Sequence, residues 1–555
     1  MLLEHQDGPL IIQSDMTVLL DNEHHLSEAA RVKLSLFAEL VKRPGNWHTY
    51  RVTSLSLWNA AAAGLNVETV VDSLKQYARY GLPGYVESTV RKLIERYGKL
   101  SLETRDLKLV LCGSTELLKV LLEKSALHRW FEGQLNEHTW EVKAEYRGQL
   151  KQELIKLGYP VIDLAGYHAG EALSVSLRPF TGQGKAFQLR DYQQQAVELF
   201  YREGTVQGGS GVIVLPCGAG KTIVGIAALS RLNSATLILT SNATSVRQWK
   251  EELLDKTSLQ SSDVGEYTGT TKQVRPVTIA TYQILTHRKS KTELFNHMKL
   301  FSERDWGLII YDEVHLLPAP VFRMTADIQA TRRLGLTATL VREDGCAEDV
   351  FSLIGPKQFD LLWKSVEAAG HIASVKCTEI RVPLDQGITE LYRSAESRSK
   401  LRLAAENPGK LAVIKQLLRR HEGSPTLIIG QYLQQLHAVA QSLEIPVITG
   451  ELAQQDRQLL YDRFKAGDVS VLAVSKVANF AVDLPDAAVA IQISGSYGSR
   501  QEEAQRIGRI LRPKSGRNEA WFYTIVSDET NETDFAARRQ LFMVEQGYRY
   551  ELEKI

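Results

Sequence analysis

Cysteine is scarce in this 555-residue chain: four are present, at 112, 217, 346 and 377, with no CxxC spacing and no HExxH nearby. That argues against both a disulfide scaffold and a structural zinc site. Charge of one sign is not in excess either, because 66 Lys and Arg stand against 65 Asp and Glu. A surface for nucleic acid must then be a local patch, and net charge neither supports nor excludes one. There is no run of about 18 uncharged apolar residues, the length a membrane-spanning helix needs. The opening Met1-Leu-Leu-Glu-His-Gln-Asp7 carries acids where a signal peptide is apolar. The expectation is a soluble, cytoplasmic protein with no membrane partner.

What is present is organised around Gly211-Val-Ile-Val-Leu-Pro-Cys-Gly-Ala-Gly-Lys-Thr222, an apolar strand, a glycine-rich turn and the start of a helix. Gly218 and Gly220 permit backbone angles closed to other residues, and with Ala219 they let main-chain N–H groups approach a polyphosphate at a helix N-terminus. Lys221 is placed to pair with the β- and γ-phosphates, and the Thr222 hydroxyl to ligate Mg²⁺. One glycine of the full Walker A pattern is missing, since Leu215 stands in its place. Downstream, Trp306-Gly-Leu-Ile-Ile-Tyr-Asp-Glu-Val-His315 reads as a buried strand ending in two acids, the form of a Walker B site. Asp312 is the candidate metal ligand. Glu313 is the candidate for orienting or deprotonating the attacking water.

The length suits roughly three to five domains, and 44% apolar content supplies several cores. Residues 1–170 are expected to form an α+β region: two short strands over 9–21, a helix over 26–43, helices over 54–63, 67–80 and 85–97, and a strand near 105–111. Such an order suits a winged-helix module, which can meet DNA or protein, and both remain open. Tyr146–Lys156 is expected as a helix with a basic face, Tyr159–Leu164 as a strand, and 171–186 as a linker.

From 187 strands and helices alternate, the signature of a parallel sheet wrapped on both faces. The expectation is an α/β fold with two such domains, 187–366 and 367–555. Leu189-Arg-Asp-Tyr-Gln-Gln194 precedes the cradle; Arg190 lies in this stretch, and Gln193 is the candidate for reading both edges of adenine. Ser245, Thr281 and Thr449 each come after a strand, where short hydroxyls suit nucleic-acid phosphates, although N-capping explains Ser245 and Thr281 equally well. Thr337 and Thr339 end a strand near the two acids, where hydroxyls can pass the state of the γ-phosphate to a neighbouring surface. Arg342-Glu343-Asp344 lies close behind Thr339. In Gln505-Arg-Ile-Gly-Arg-Ile-Leu-Arg512, helical spacing puts Gln505, Gly508, Arg509 and Arg512 on one face. Arg509 and Arg512 can bring guanidinium groups to a γ-phosphate.

Together LPCGAGKT, DEVH, LTATLVRED and QRIGRILRP resemble the superfamily 2 DNA helicases, and within them the XPB-type repair and transcription helicases. The motifs come in order from about 187 to 550, and PLIIQSDMTVLLD and SLWNAAAAG extend the likeness to the N-terminal region, with a segment like the family's damage-recognition element. The resemblance implies two RecA-like domains, a 3′-to-5′ DNA translocase using ATP and Mg²⁺, and a role for Arg342-Glu343-Asp344 in strand separation. It also implies that His315 belongs to the coupling motif, that Asp483 is retained near the nucleotide, and that 385–410 stands where the family carries a thumb-like insertion. The sequence departs from the family at Ala478-Asn479, usually Gly-Asp, and at Ala481, usually a small hydroxyl residue.

The expected function is thus an ATP-dependent DNA helicase acting in repair on single-stranded and forked duplex DNA, with a nuclease or repair protein as a further partner and the monomer as the favoured state. Two alternatives stay open: a duplex translocase without processive unwinding, and a nucleotide-gated DNA-binding subunit that recruits a nuclease.

Overall fold

A computed structural model describes residues 7–42, 46–123, 125–288, 295–339, 347–475, 487–495, 500–508, 510 and 518–555. Two compact units divide the chain: Met1–Val214 with Gly220–Asp360, and Leu215–Ala219 with Leu361–Ile555.

The first unit opens with a four-stranded antiparallel sheet, in the spatial order Leu10–Ile12, Thr17–Asp21, Trp47–Arg51, Glu39–Lys42. The single helix expected over 26–43 is therefore a helix, Ser27–Leu34, and then the strand Glu39–Lys42. Apolar residues at 34, 37, 38 and 40 suit either element. Pairing with Trp47–Arg51 decides it, because a hairpin partner satisfies the backbone of 39–42. Helices Ser54–Ala62, Val67–Tyr77 and Gly84–Arg96 come next, close to the expected bounds. They lead to a five-stranded sheet in the order Phe131–Asn136, Thr139–Val142, Lys108–Cys112, Leu100–Arg105, Val161–Leu164.

Its helix Arg147–Lys156 does not present a basic face to solvent. Arg147 and Lys151 are both buried and share the carboxylate of Asp163, at 2.7 and 2.9 Å. Lys151 also donates to Gln329 Oε1 at 2.8 Å. Buried charges demand partners, so the cationic residues turn inward to the one acid that meets them. The same helix passes so near Ala326 that a Cβ on Gly148 would lie 2.3 Å from its carbonyl oxygen.

The stretch 171–186, expected as a linker, is hydrogen-bonded to the body of the unit. Leu173 donates its N–H to Asn233 O, Ala235 donates to Glu171 O, and Arg178 donates to Lys256 O. Glycine and proline here shape a strap rather than a free tether.

The sheet that carries the cradle is seven-stranded and all parallel, in the order Val264–Tyr267, Val277–Thr281, Thr236–Thr240, Leu308–Asp312, Arg332–Thr337, Ser210–Val214, Lys357–Asp360. Its central strands are almost continuously buried, as a sheet covered on both faces requires.

The second unit holds another seven-stranded, all-parallel sheet: Val447–Ile448, Val471–Ser475, Thr426–Gly430, Val489–Gln492, Glu519–Ser527, Ser374–Val382, Tyr550–Lys554. The expected α/β class with two RecA-like sheets is the observed one. Helices Gln386–Ser394 and Ser397–Ala405 fill most of the stretch 385–410. Lys400 stands 5.6 Å from the Tyr392 ring centre, and the Tyr392 hydroxyl accepts the Asn531 N–H at 2.9 Å. No helix among the described residues is long and apolar enough to cross a membrane.

Candidate active site

Parallel pairing sets the site. Val214 is in register with Thr337, and Asp312 with Leu336, so the cradle strand and the acid strand lie on either side of Arg332–Thr337 with their carboxyl ends at one edge. Thr240 and Thr281, also in register, end at the same edge.

In the cradle, Gly218 and Gly220 have φ of 80° and 84°, the left-handed values that favour glycine. Helix Lys221–Leu232 starts directly after them. Gln193 touches this turn, since a Cβ on Gly220 would meet its Nε2 at 2.5 Å. Its Oε1 accepts the Arg190 N–H at 3.0 Å, and Arg190 Nη1 donates to the Tyr192 hydroxyl at 2.9 Å. The candidate adenine reader thus also holds its own helix start.

Lys221 Nζ lies 3.6 Å from Glu313 Oε1. Glu313 has φ 51°, ψ 54°, a left-handed conformation that costs a non-glycine residue about 1–3 kcal/mol. It turns the chain sharply at the strand end, so that Asp312 and Glu313 leave it in different directions. Burial pushes the Asp312 carboxyl up to about 6, and the adjacent Glu313 adds to the rise. Burial acts on Glu313 in the same sense, but the charges of Lys221 and His315 outweigh it and hold that carboxyl below its ordinary value. Two acids side by side thus have their affinities for protons drawn apart.

The donor set fits Mg·ATP. Thr222 and Asp312 are hard oxygen donors of the kind Mg²⁺ takes, and the left-handed glycines leave room for phosphate where side chains would intrude.

Behind the acids runs a hydroxyl chain. The Thr337 hydroxyl donates to Thr339 O at 2.6 Å and receives the Thr339 N–H at 3.1 Å. With its one proton spent, it must accept from His315 Nδ1 at 2.7 Å, which fixes the proton on that ring nitrogen.

The remaining candidates take more varied positions. Ser245 lies in the first turn of helix Ala243–Lys256, but the N-cap is Asn242, whose side chain accepts the Ser245 N–H at 2.9 Å. Thr281 is itself an N-cap, accepting the Ile284 N–H. Thr449 is buried just past Val447–Ile448. Gln505 lies on helix Arg500–Gly508. Arg342, Glu343, Asp344, Asp483, Arg509, Arg512 and the departures at 478, 479 and 481 fall outside the described residues.

Two residues of the site were not singled out for it from sequence. Trp249 Nε1 donates to Asp312 Oδ2 at 2.9 Å, and the Tyr282 hydroxyl donates to the Asp312 carbonyl at 2.9 Å. A tryptophan in a largely polar helix is the one signal that pointed to the first; nothing in the sequence marks the second.

Known proteins match the chain over nearly its whole length. It is 50% identical over 98% of its residues to a protein of Kineococcus radiotolerans named DNA 3′-5′ helicase XPB, covering 96% of that relative. The chain belongs to the XPB family of DNA helicases. A Mycobacterium tuberculosis relative of the same name is also 50% identical, over 98% of this chain and 97% of its own. Family models agree: ERCC3/RAD25/XPB C-terminal helicase over 366–554, type III restriction enzyme res subunit over 186–342, and helicase conserved C-terminal domain over 10–132. Among solved structures, the ATP-dependent type ISP restriction-modification enzyme LlaBIII bound to DNA matches with TM-score 0.51 at 13% identity, over 67% of this chain and 31% of that one, a likeness of fold. The XPB family resemblance read from the motifs is thereby borne out.

Proposed function

We propose that this XPB-family chain hydrolyses Mg·ATP to drive 3′-to-5′ movement on DNA and to open forked duplexes during repair. The observation that carries the reading is the Lys221 ammonium 3.6 Å from a strained Glu313, beside a buried Asp312, at one edge of a parallel sheet. Lys221 holds the terminal phosphates, and Gln193 with Arg190 meets the base. Thr222 and Asp312 hold the metal. When bound, Mg²⁺ would supply positive charge against the negative charge that develops on the transferred phosphate. Glu313, kept ionised by Lys221 and His315, orients the attacking water and accepts its proton. By the family resemblance, Arg509 and Arg512 are assigned the guanidinium charge and Asp483 a nucleotide contact.

Ser245, Thr281, Thr449 and Gln505 are assigned to the bound strand. The His315–Thr337–Thr339 chain is assigned to pass on the state of the acid site, and Arg342-Glu343-Asp344, by the family resemblance, to assist strand separation. Separation opposes roughly 1.4 kcal/mol of stacking per base-pair step, well within reach of nucleotide hydrolysis. A nuclease or repair protein is the expected partner.

ATPase rates without nucleic acid and with single-stranded DNA, duplex DNA or RNA, for the wild type and Lys221→Ala, test the reading. DNA should stimulate turnover strongly and the substitution abolish it; turnover indifferent to DNA overturns it.

A further inference from the structure

Trp249 is 1% exposed and sits one turn after Ser245 on helix Ala243–Lys256. Its indole lies against helix Lys221–Leu232 at Gly225, where an added Cβ would be 2.5 Å from the ring carbon Cη2. Gly225 comes three residues after Thr222 and four after Lys221, so the ring rests on the cradle helix one turn below the phosphate-binding residues. From there its N–H reaches Oδ2 of Asp312 at 2.9 Å. One side chain thus touches three elements: the helix that starts at the proposed strand contact, the cradle helix and the acid strand.

A carboxylate at a metal site offers two oxygens, and a hydrogen bond to one decides which oxygen, at what angle, faces the metal. Groups that orient a ligand in this way typically govern metal affinity by roughly 10- to 100-fold. The backbone of Asp312 is fixed from the other side by the Tyr282 hydroxyl. That leaves the carboxylate rotation, which the indole N–H restrains together with the Glu313 backbone N–H.

We infer that Trp249 is a positioning residue for the metal, committing Oδ2 of Asp312 to the indole and presenting Oδ1 to Mg²⁺, from a helix whose first turn carries Ser245. The inference rests on the proposed metal role of Asp312. It also makes Gly225 a required partner, since any larger residue displaces the ring from the carboxylate.

The test is the Mg²⁺ dependence of nucleotide affinity, read with a fluorescent ADP analogue in a Mg²⁺ titration and in EDTA. Four proteins are compared: the wild type, Trp249→Phe, a form with the indole N–H at 249 replaced by sulfur, and Asp312→Asn. Trp249→Phe and the sulfur form should each raise the Mg²⁺ midpoint roughly 10- to 100-fold while affinity in EDTA stays at the wild-type value. A purely packing role would spare the sulfur form, which keeps the ring shape, so a wild-type midpoint there overturns the inference even if Trp249→Phe does not fold. A midpoint moved by Asp312→Asn but not by the sulfur form overturns the inference alone. A midpoint that Asp312→Asn fails to move removes the metal reading and the inference with it.

Discussion

The ammonium of Lys221 stands 3.6 Å from the carboxylate of Glu313, which lies in a left-handed backbone conformation. Those two charges divide the proposed work between phosphate binding and water activation. Glu313→Gln keeps the shape and removes the base. Nucleotide binding should survive, while DNA-stimulated turnover falls about 10²- to 10⁴-fold. Equilibrium nucleotide binding beside steady-state ATPase measures both.

Neighbouring arginines of the last motif should separate into two classes. Arg506 is 1% exposed and donates through Nη1 to Gln492 Oε1 at 2.7 Å, so it holds the second sheet to its helix. Arg506→Ala should lower the melting temperature and cost about 1–3 kcal/mol, the expense of a stranded buried acceptor. Arg509→Ala should leave the melting temperature alone and cut DNA-stimulated kcat by about 10³- to 10⁵-fold. Equal effects from both would contradict the assignment.

Acid should loosen the first unit through Asp163. Burial alone would raise its carboxyl, but Lys151 and Arg147 outweigh that and hold it well below the ordinary carboxylate value of 3.8. A folded-state value depressed in this way contributes stability that is fully present above the unfolded value, near 4, and lost as pH falls toward the folded one. Asp163→Asn should flatten that acid limb. At neutral pH it should cost about 3–5 kcal/mol, because two buried cations lose their shared partner. Urea melts from pH 3 to 7, with hydrogen exchange in Arg147–Lys156 alongside, give both quantities.

Gly148→Ala probes the seam between that helix and Ala319–Asp327. The new methyl would press on the Ala326 carbonyl at 2.3 Å. Backbone cannot yield as a flexible side chain does, so a loss of about 1–3 kcal/mol is expected. Thermal melting checks it, and an unchanged midpoint would mean that the helices can part without cost.

Much of this was legible in the chain. The two parallel sheets were implied by buried strands alternating with helices, and the cradle and acids by glycine and carboxylate placement at strand ends. Less legible was whatever depended on long-range pairing. Residues 26–43 satisfy helical spacing, yet strand pairing with Trp47–Arg51 claims the second half. Arg147 and Lys151 read as a solvated face because Asp163, which draws them inward, is recognisable only once the sheet has formed. The sequence does not pair Trp249 with Asp312, since its polar tip meets a partner 63 residues away.

The helix pair Gln386–Ser394 and Ser397–Ala405 is pinned to its own lobe. Tyr392 bonds Asn531, Asn407 bonds Ser527 Oγ at 3.0 Å, and just beyond, Lys410 and Glu532 form a fully enclosed ion pair at 2.8 Å. A strand gripped there would find no spring in the attachment. A pull on it would be passed through those bonds to the sheet behind.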